Sequence, residues 1–246
     1  MLSLFTFAAA IIPSILLIRY VATSDKYPEP AHMLWKTFGG GVLIVIPVLI
    51  VALPAQYLIE HSPITHFPIG HGFTTAFLTA AFPEEFFKLL VLVLFCARSP
   101  EFDEPMDGIV YGAVASLGFA TFENILYVMG GGLPLAIMRG LTAVPAHASF
   151  GVIMGYFYAR AHFSEKNKIP LYLLAYFIPV LLHGLYDAFL FCPVNISAQY
   201  TDGAEMSNHD SFITAISFLG CFLVLGFMVH RAYRFIKLMQ KEQESI

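Results

Sequence analysis

The chain has 246 residues, 58% of them hydrophobic and only 12% charged, with a mean hydropathy of +0.72. A soluble domain carries about a quarter charged residues, so this composition excludes an ordinary water-soluble globule and points to lipid as the solvent. The formal net charge of −4 comes without a basic stripe, which excludes a nucleic-acid-binding surface.

A helix that crosses a bilayer needs about 20 mostly apolar residues. In chain order the expected spans are about Leu2–Leu17, Phe38–Leu58, Gly72–Ala97, Gly108–Met129, Leu133–Ala159, Pro170–Phe191 and Phe212–His230. The first lacks the basic n-region and the small-residue cleavage site of a signal peptide, so it is expected as a retained helix. The predicted fold is all-α, a single polytopic transmembrane bundle over residues 1–246 with about seven spans. Cys96, Cys192 and Cys221 are scattered in apolar runs and read as packing residues, neither a disulfide framework nor a metal knuckle.

Of the 13 Lys and Arg residues, only Lys88 and Arg139 fall inside expected spans. The others lie in the first, third and fifth connections and in the tail. Basic loops mark the cytoplasmic side, so the expected topology has the N-terminus outside, the C-terminus in the cytoplasm and the protein in the cell membrane. The sixth connection, about Cys192 to Ser211, is the longest outer loop and carries Asp202, Glu205 and Asp210. Its Asn195-Ile196-Ser197 fits a glycosylation sequon, a short and common pattern of little weight.

An ionisable side chain at the bilayer centre costs about 2.5–3.5 kcal/mol on insertion scales, which makes each one a functional hypothesis. Here they gather in four consecutive spans. The third holds Pro83-Glu84-Glu85-Phe86-Phe87-Lys88. Glu84 and Lys88 share a helix face, with the acid first, the better order for an ion pair. One ammonium cannot satisfy two carboxylates, so the surplus acid needs a proton, a metal or another helix. Pro83 removes a backbone hydrogen bond and is expected to kink the helix just before the acids.

The fourth span places Glu123 beside Asn124, four residues after Phe119, and its Gly108, Gly112 and Gly118 invite close helix approach. The fifth carries Arg139, near enough to the outer end to snorkel, and His147, followed by Gly151. The Ala, Ser and Gly around His147 fit a tight helix contact equally well. The sixth carries His183 and Asp187 at helical spacing, so Asp187 either orients His183 or shares a metal with it. Taken singly, each of these residues has a packing explanation. Together they give one polar motif per helix at compatible depths, and residues 72–191 form the expected four-helix catalytic core.

In the order and spacing of Glu84, Glu85 and Lys88, Phe119 and Glu123, His147 and Gly151, and His183 and Asp187, the sequence resembles the PrsW family of intramembrane proteases, which is related to the CAAX-processing (Abi-type) membrane endopeptidases. The CAAX-type relatives have His where Glu123 stands and commonly Asn where Asp187 stands, which favours the PrsW branch. The resemblance implies peptide-bond hydrolysis at or within the bilayer. It also implies a membrane-anchored protein substrate, in bacteria an anti-sigma factor of a stress-response cascade.

Two chemistries remain open. In a glutamic-type site without a cofactor, Glu84 takes a proton from water and returns it to the leaving amine. His183, oriented by Asp187, then positions the water or donates to the oxyanion; His147 or Asn124 adds a donor and Lys88 holds the acids. In a zinc site, His147 and His183 with Glu123 or Asp187 are the ligands and Glu84 is the base; the absence of a His-Glu-x-x-His helix counts against it. The rival classes are a proton-coupled transporter and a non-catalytic membrane scaffold. The transporter reading lacks the repeated halves with matched broken helices that many such proteins show.

Overall fold

The computed structural model describes residues 4–200 and 204–245. Leu2, at the start of the first expected span, and Asp202 lie outside them. The described residues form helices joined by short turns, without a strand. The helices are α1 (Leu4–Ala22), α2 (Ala31–Leu43), α3 (Val45–Glu60), α4 (Pro68–Thr75), α5 (Phe82–Val91), α6 (Pro105–Leu141), α7 (Ala143–His162), α8 (Lys168–Ser197) and α9 (Asn208–Glu244). Among the described residues, five helical stretches are long and apolar enough to cross a membrane: Leu4–Ala22, Ala31–Glu60, Pro105–His162, Lys168–Ser197 and Asn208–Glu244. The outward faces of α1, α3 and α9 are lined by exposed Leu, Ile, Val and Phe, as a lipid-facing surface requires.

α6 and α7 form the centre. The first half of α6 and most of α7 are buried. Their contact runs along glycines: Gly108 and Gly112 on α6 face Gly155 and Gly151 on α7, so the two helices are antiparallel. A Cβ on any of these four would strike the backbone of the other helix. Gly118 abuts the Phe38 carbonyl of α2 in the same way, so all three glycines expected to admit a neighbour do so. Such small-residue seams are how helices gain dispersion contact when lipid removes the hydrophobic drive.

The segment from Pro68 to Cys96 is helical throughout but not uniformly α. A π-helical turn, Ala76–Ala81, precedes α5, and a second, Leu92–Cys96, follows it. The break expected at Pro83 is therefore a widened turn just upstream, with Pro83 itself in the first turn of α5, where its missing N–H is least costly. The Tyr176 hydroxyl of α8 donates to the Phe82 carbonyl at 3.0 Å.

The fifth expected span is divided. Gly132, at φ 65 and ψ −160, breaks α6, and Thr142 separates the short Leu133–Leu141 run from α7. That backbone region is open essentially to glycine alone. The sixth connection is shorter than expected, because α8 continues to Ser197. Its Asn195-Ile196-Ser197 lies within the helix, with Asn195 Nδ2 donating to the Pro68 carbonyl at 3.4 Å. The three cysteines are free and buried, in keeping with packing.

The ends of the basic connections meet at one end of the bundle. Lys26 Nζ donates to the Gln243 carbonyl at 2.9 Å, Gln240 Nε2 to the Ser24 carbonyl at 2.6 Å, and Arg160 pairs with Glu242.

Candidate active site

The four polar motifs converge. Lys88 of α5 is 1% exposed, and its ammonium touches three groups: Glu84 Oε2 at 3.1 Å, Glu85 Oε1 at 2.7 Å and His147 Nδ1 of α7 at 3.0 Å. The ammonium also stands 4.6 Å from the centre of the Phe119 ring, which gives that motif residue a cation–π role. Burying this many charges is tolerable only because each is paired.

The surplus acid is met by another helix. His183 Nδ1 of α8 donates to Glu85 Oε1 at 2.8 Å, while its Nε2 lies 3.2 Å from Asp187 Oδ2 and 4.0 Å from Glu84 Oε2. With carboxylates facing both ring nitrogens, His183 acts as a donor on both sides. His147 is fixed differently. Its Nδ1 accepts from Lys88, so its Nε2 carries the hydrogen and donates to Glu123 Oε2 at 3.1 Å.

Glu123 is also held by Arg139 Nη2 at 2.8 Å. Arg139 does not snorkel outward. The break at Gly132 turns its helix back, so Nε donates to Asn124 Oδ1 at 3.0 Å and the guanidinium lies over the Tyr127 ring at 3.9 Å. Asn124 Nδ2 in turn donates to the Ala10 carbonyl of α1 at 2.9 Å. Every ionisable residue singled out in the four spans therefore belongs to one network, and Glu84 and His183 share one side of it.

Exposure grades the acids. The Glu85 side chain is 0% exposed, Glu84 8%, Asp187 14% and Glu123 17%. Glu85 is sealed in, while the other three each keep a small exposed edge. Two contributors escaped the sequence reading. Phe150 stacks on the His183 ring at 4.7 Å and 17°, and the π-helical turns frame the acid pair. Phe150 sits among ordinary apolar residues and gave no signal; π-turns are common at functional sites but have no simple sequence mark.

The donors that converge as a possible metal trio are Glu84, Glu85 and His147, all within 4.8 Å of one another. The trio differs from the expected pairing of His147 and His183 with Glu123 or Asp187. The His183 nitrogens are held by Glu85 and Asp187, while His147 Nδ1 meets only Lys88, the cation whose place a metal would take. Glu85 Oε2 is buried without a hydrogen-bond partner, so the trio has a free ligand atom. Two carboxylates and an imidazole are chemically apt for zinc or a related ion. The Lys88 ammonium stands at their point of convergence, so it must withdraw for a metal to be held there.

Residues 29–229 match the family described as "PrsW family intramembrane metalloprotease". Protease PrsW of Bacillus subtilis (strain 168) is 41% identical over 185 residues, covering 74% of this chain and 81% of the relative. Protease PrsW of Geobacillus kaustophilus (strain HTA426) is 40% identical over 181 residues, 73% of this chain and 77% of the relative. The Clostridioides difficile (strain 630) protein of the same name is 33% identical over 195 residues, 75% and 78% respectively. No solved structure matches the chain. With the matched region spanning every residue of the buried network, this chain belongs to the PrsW family of intramembrane proteases.

Proposed function

We propose that the chain is an endopeptidase that hydrolyses a membrane-anchored anti-sigma factor, using the space bordered by Glu84, Asp187 and Glu123, with residues 72–191 as its catalytic core. The observation that carries this reading is the unequal treatment of the two adjacent acids. Glu85 is sealed and accepts from both Lys88 and His183, which makes it a positioning residue. Glu84 shares Lys88 but keeps an accessible edge, so it is the acid that meets water.

In the metal-free form of this reading, Glu84 removes a proton from water as it attacks the scissile carbonyl, and later returns it to the departing amine. The Nε2–H of His183 lies between Asp187 and Glu84, and turning from Asp187 toward the carbonyl oxygen lets it donate there as negative charge builds. Lys88 keeps the acid pair and His147 in register.

A second reading is favoured by the Glu84, Glu85 and His147 trio and the open oxygen of Glu85. A metal bound by those three residues supplies Lewis-acid polarisation and an acidified water. Glu123, hydrogen-bonded to His147 and Arg139, is then the nearest accessible carboxylate left to move protons.

The topology that goes with either form has seven crossings, the N-terminus outside and the C-terminus in the cytoplasm. It is supported by the basic residues gathered at one end of the bundle. The experiment compares membranes containing wild type and Glu84→Gln on a candidate anti-sigma factor, with and without a chelator, alongside metal analysis of the purified chain. Cleavage is expected in the wild type and absent in the variant at equal expression; an active variant overturns the assignment. Stoichiometric metal with chelator sensitivity selects the second reading.

A further inference from the structure

A second set of acids lies far from the first, roughly 24 Å along α6 from Glu123 at 1.5 Å per residue. Asp25 and Glu29 from the α1–α2 connection meet Glu104 and Asp107 at the start of α6, beside Gln243 near the end of α9. Donor oxygens of Asp25, Glu104 and Asp107 lie within 4.8 Å of one another.

One oxygen of each Asp is satisfied by the fold. Asp25 Oδ1 accepts from the Tyr27 N–H at 2.9 Å and from Gln243 Nε2 at 2.7 Å. Asp107 Oδ2 accepts from the Asp103 and Glu104 N–H groups at 2.8 and 2.7 Å, part of the cap that starts α6. The other oxygens, Asp25 Oδ2 and Asp107 Oδ1, are buried and have no hydrogen-bond partner. These two residues are 6% and 0% exposed.

No basic side chain pairs with them. Among the described residues, none of the four acids takes part in an ion pair, and the nearby Lys26 ammonium is engaged by the Gln243 carbonyl. Glu29 lies against Asp107 and accepts from the Tyr111 hydroxyl. Orphaned carboxylate oxygens at this density cost several kcal/mol unless a positive species joins them.

We propose that Asp25, Glu104 and Asp107, with Glu29 alongside, bind a hard divalent cation at this end of the bundle. Carboxylate oxygens without nitrogen or sulfur select ions of the Mg2+, Mn2+ and Ca2+ kind. The ion bridges the first connection to α6. Gln243, which also donates to Glu104 Oε1 at 2.5 Å, extends the bridge to α9. This site does not depend on the proteolytic reading.

The test uses full-length chain in detergent and Mn2+ as the probe, with bound ion read by electron paramagnetic resonance. Glu84→Gln serves as background, so that binding at the intramembrane trio is weakened. One bound Mn2+ is expected to persist in that background, to be displaced by excess Mg2+, and to weaken at least about tenfold in Asp25→Asn, as loss of a charged ligand does. Glu104→Gln, on a partly exposed residue, gives the same readout if Asp25→Asn does not fold. Absence of bound Mn2+ in the background variant at millimolar ion, or binding unchanged by the ligand substitutions, overturns the site.

Discussion

Glu85 and His183, 98 residues apart, meet at 2.8 Å across the gap between α5 and α8. This contact joins the acid pair to the last of the four motifs, and it occupies the histidine nitrogen that does not face Asp187. His183 is thus held at both nitrogens.

The Asp187 contact can be probed without dismantling the pocket. Asp187→Asn keeps an acceptor oxygen opposite His183 Nε2 but removes the charge, whereas Asp187→Ala removes both. Turnover is expected to fall by about tenfold in the first and 10²-fold or more in the second, the scale for a misoriented catalytic donor. Substrate binding is expected to change little. Steady-state cleavage of a reconstituted membrane substrate gives kcat and KM separately.

Lys88 holds three partners at once. Lys88→Met leaves two adjacent buried acids without their cation, and removing one member of a buried pair costs about 3–5 kcal/mol. The variant is expected to unfold at markedly lower temperature or denaturant than wild type. Pairing it with Glu85→Gln, which removes one of the stranded charges, is expected to restore part of the loss. Thermal unfolding in one detergent across the three proteins measures both effects.

The glycine seam between α6 and α7 makes a steric prediction. A Cβ at Gly155 strikes the Gly108 carbonyl, and one at Gly151 strikes the Gly112 carbonyl. Gly155→Ala is expected to cost about 1–3 kcal/mol, as overpacking does. Gly226→Ala, where nothing lies within 4 Å, is expected to be neutral or slightly stabilising in α9. Comparing the melting of the two variants decides whether the seam is as tight as described.

Gly132 is different in kind. The nearest atom to an added Cβ there is Pro134 Cδ at 4.0 Å, so space is not the obstacle; the backbone at φ 65 is. Gly132→Ala is expected to cost about 1–3 kcal/mol in strain. It is also expected to lower activity, because this turn lets Arg139 reach Glu123 and Asn124. A variant with wild-type activity and melting would refute the link.

Much of the site was legible because membranes make polarity informative. Glu84, Glu85, Glu123, His147, His183 and Asp187 stood out against apolar surroundings, and helical spacing placed Lys88 over Glu84 and Asp187 beside His183. The rule that one ammonium cannot satisfy two acids called for a proton, a metal or another helix, and His183 of α8 supplies the last of these. What escaped had no charge to mark it. Phe150 is one more aromatic in an aromatic-rich chain. The break at Thr142 fell inside the expected span Leu133–Ala159, and Arg139, near the outer end of that span, read as a residue that could snorkel. The choice of ligand trio depended on which nitrogens were already engaged, a question of angle that spacing along one helix does not address.

The site's walls are of two textures. Glu123 and His147 stand on α6 and α7, locked by backbone-to-backbone contact along their glycines. Glu84 and Glu85 stand on a short rod, α5, with a loosened winding at either end. The acid pair and the His147 imidazole thus rest on elements of different winding, one regular and tightly seated, the other interrupted above and below.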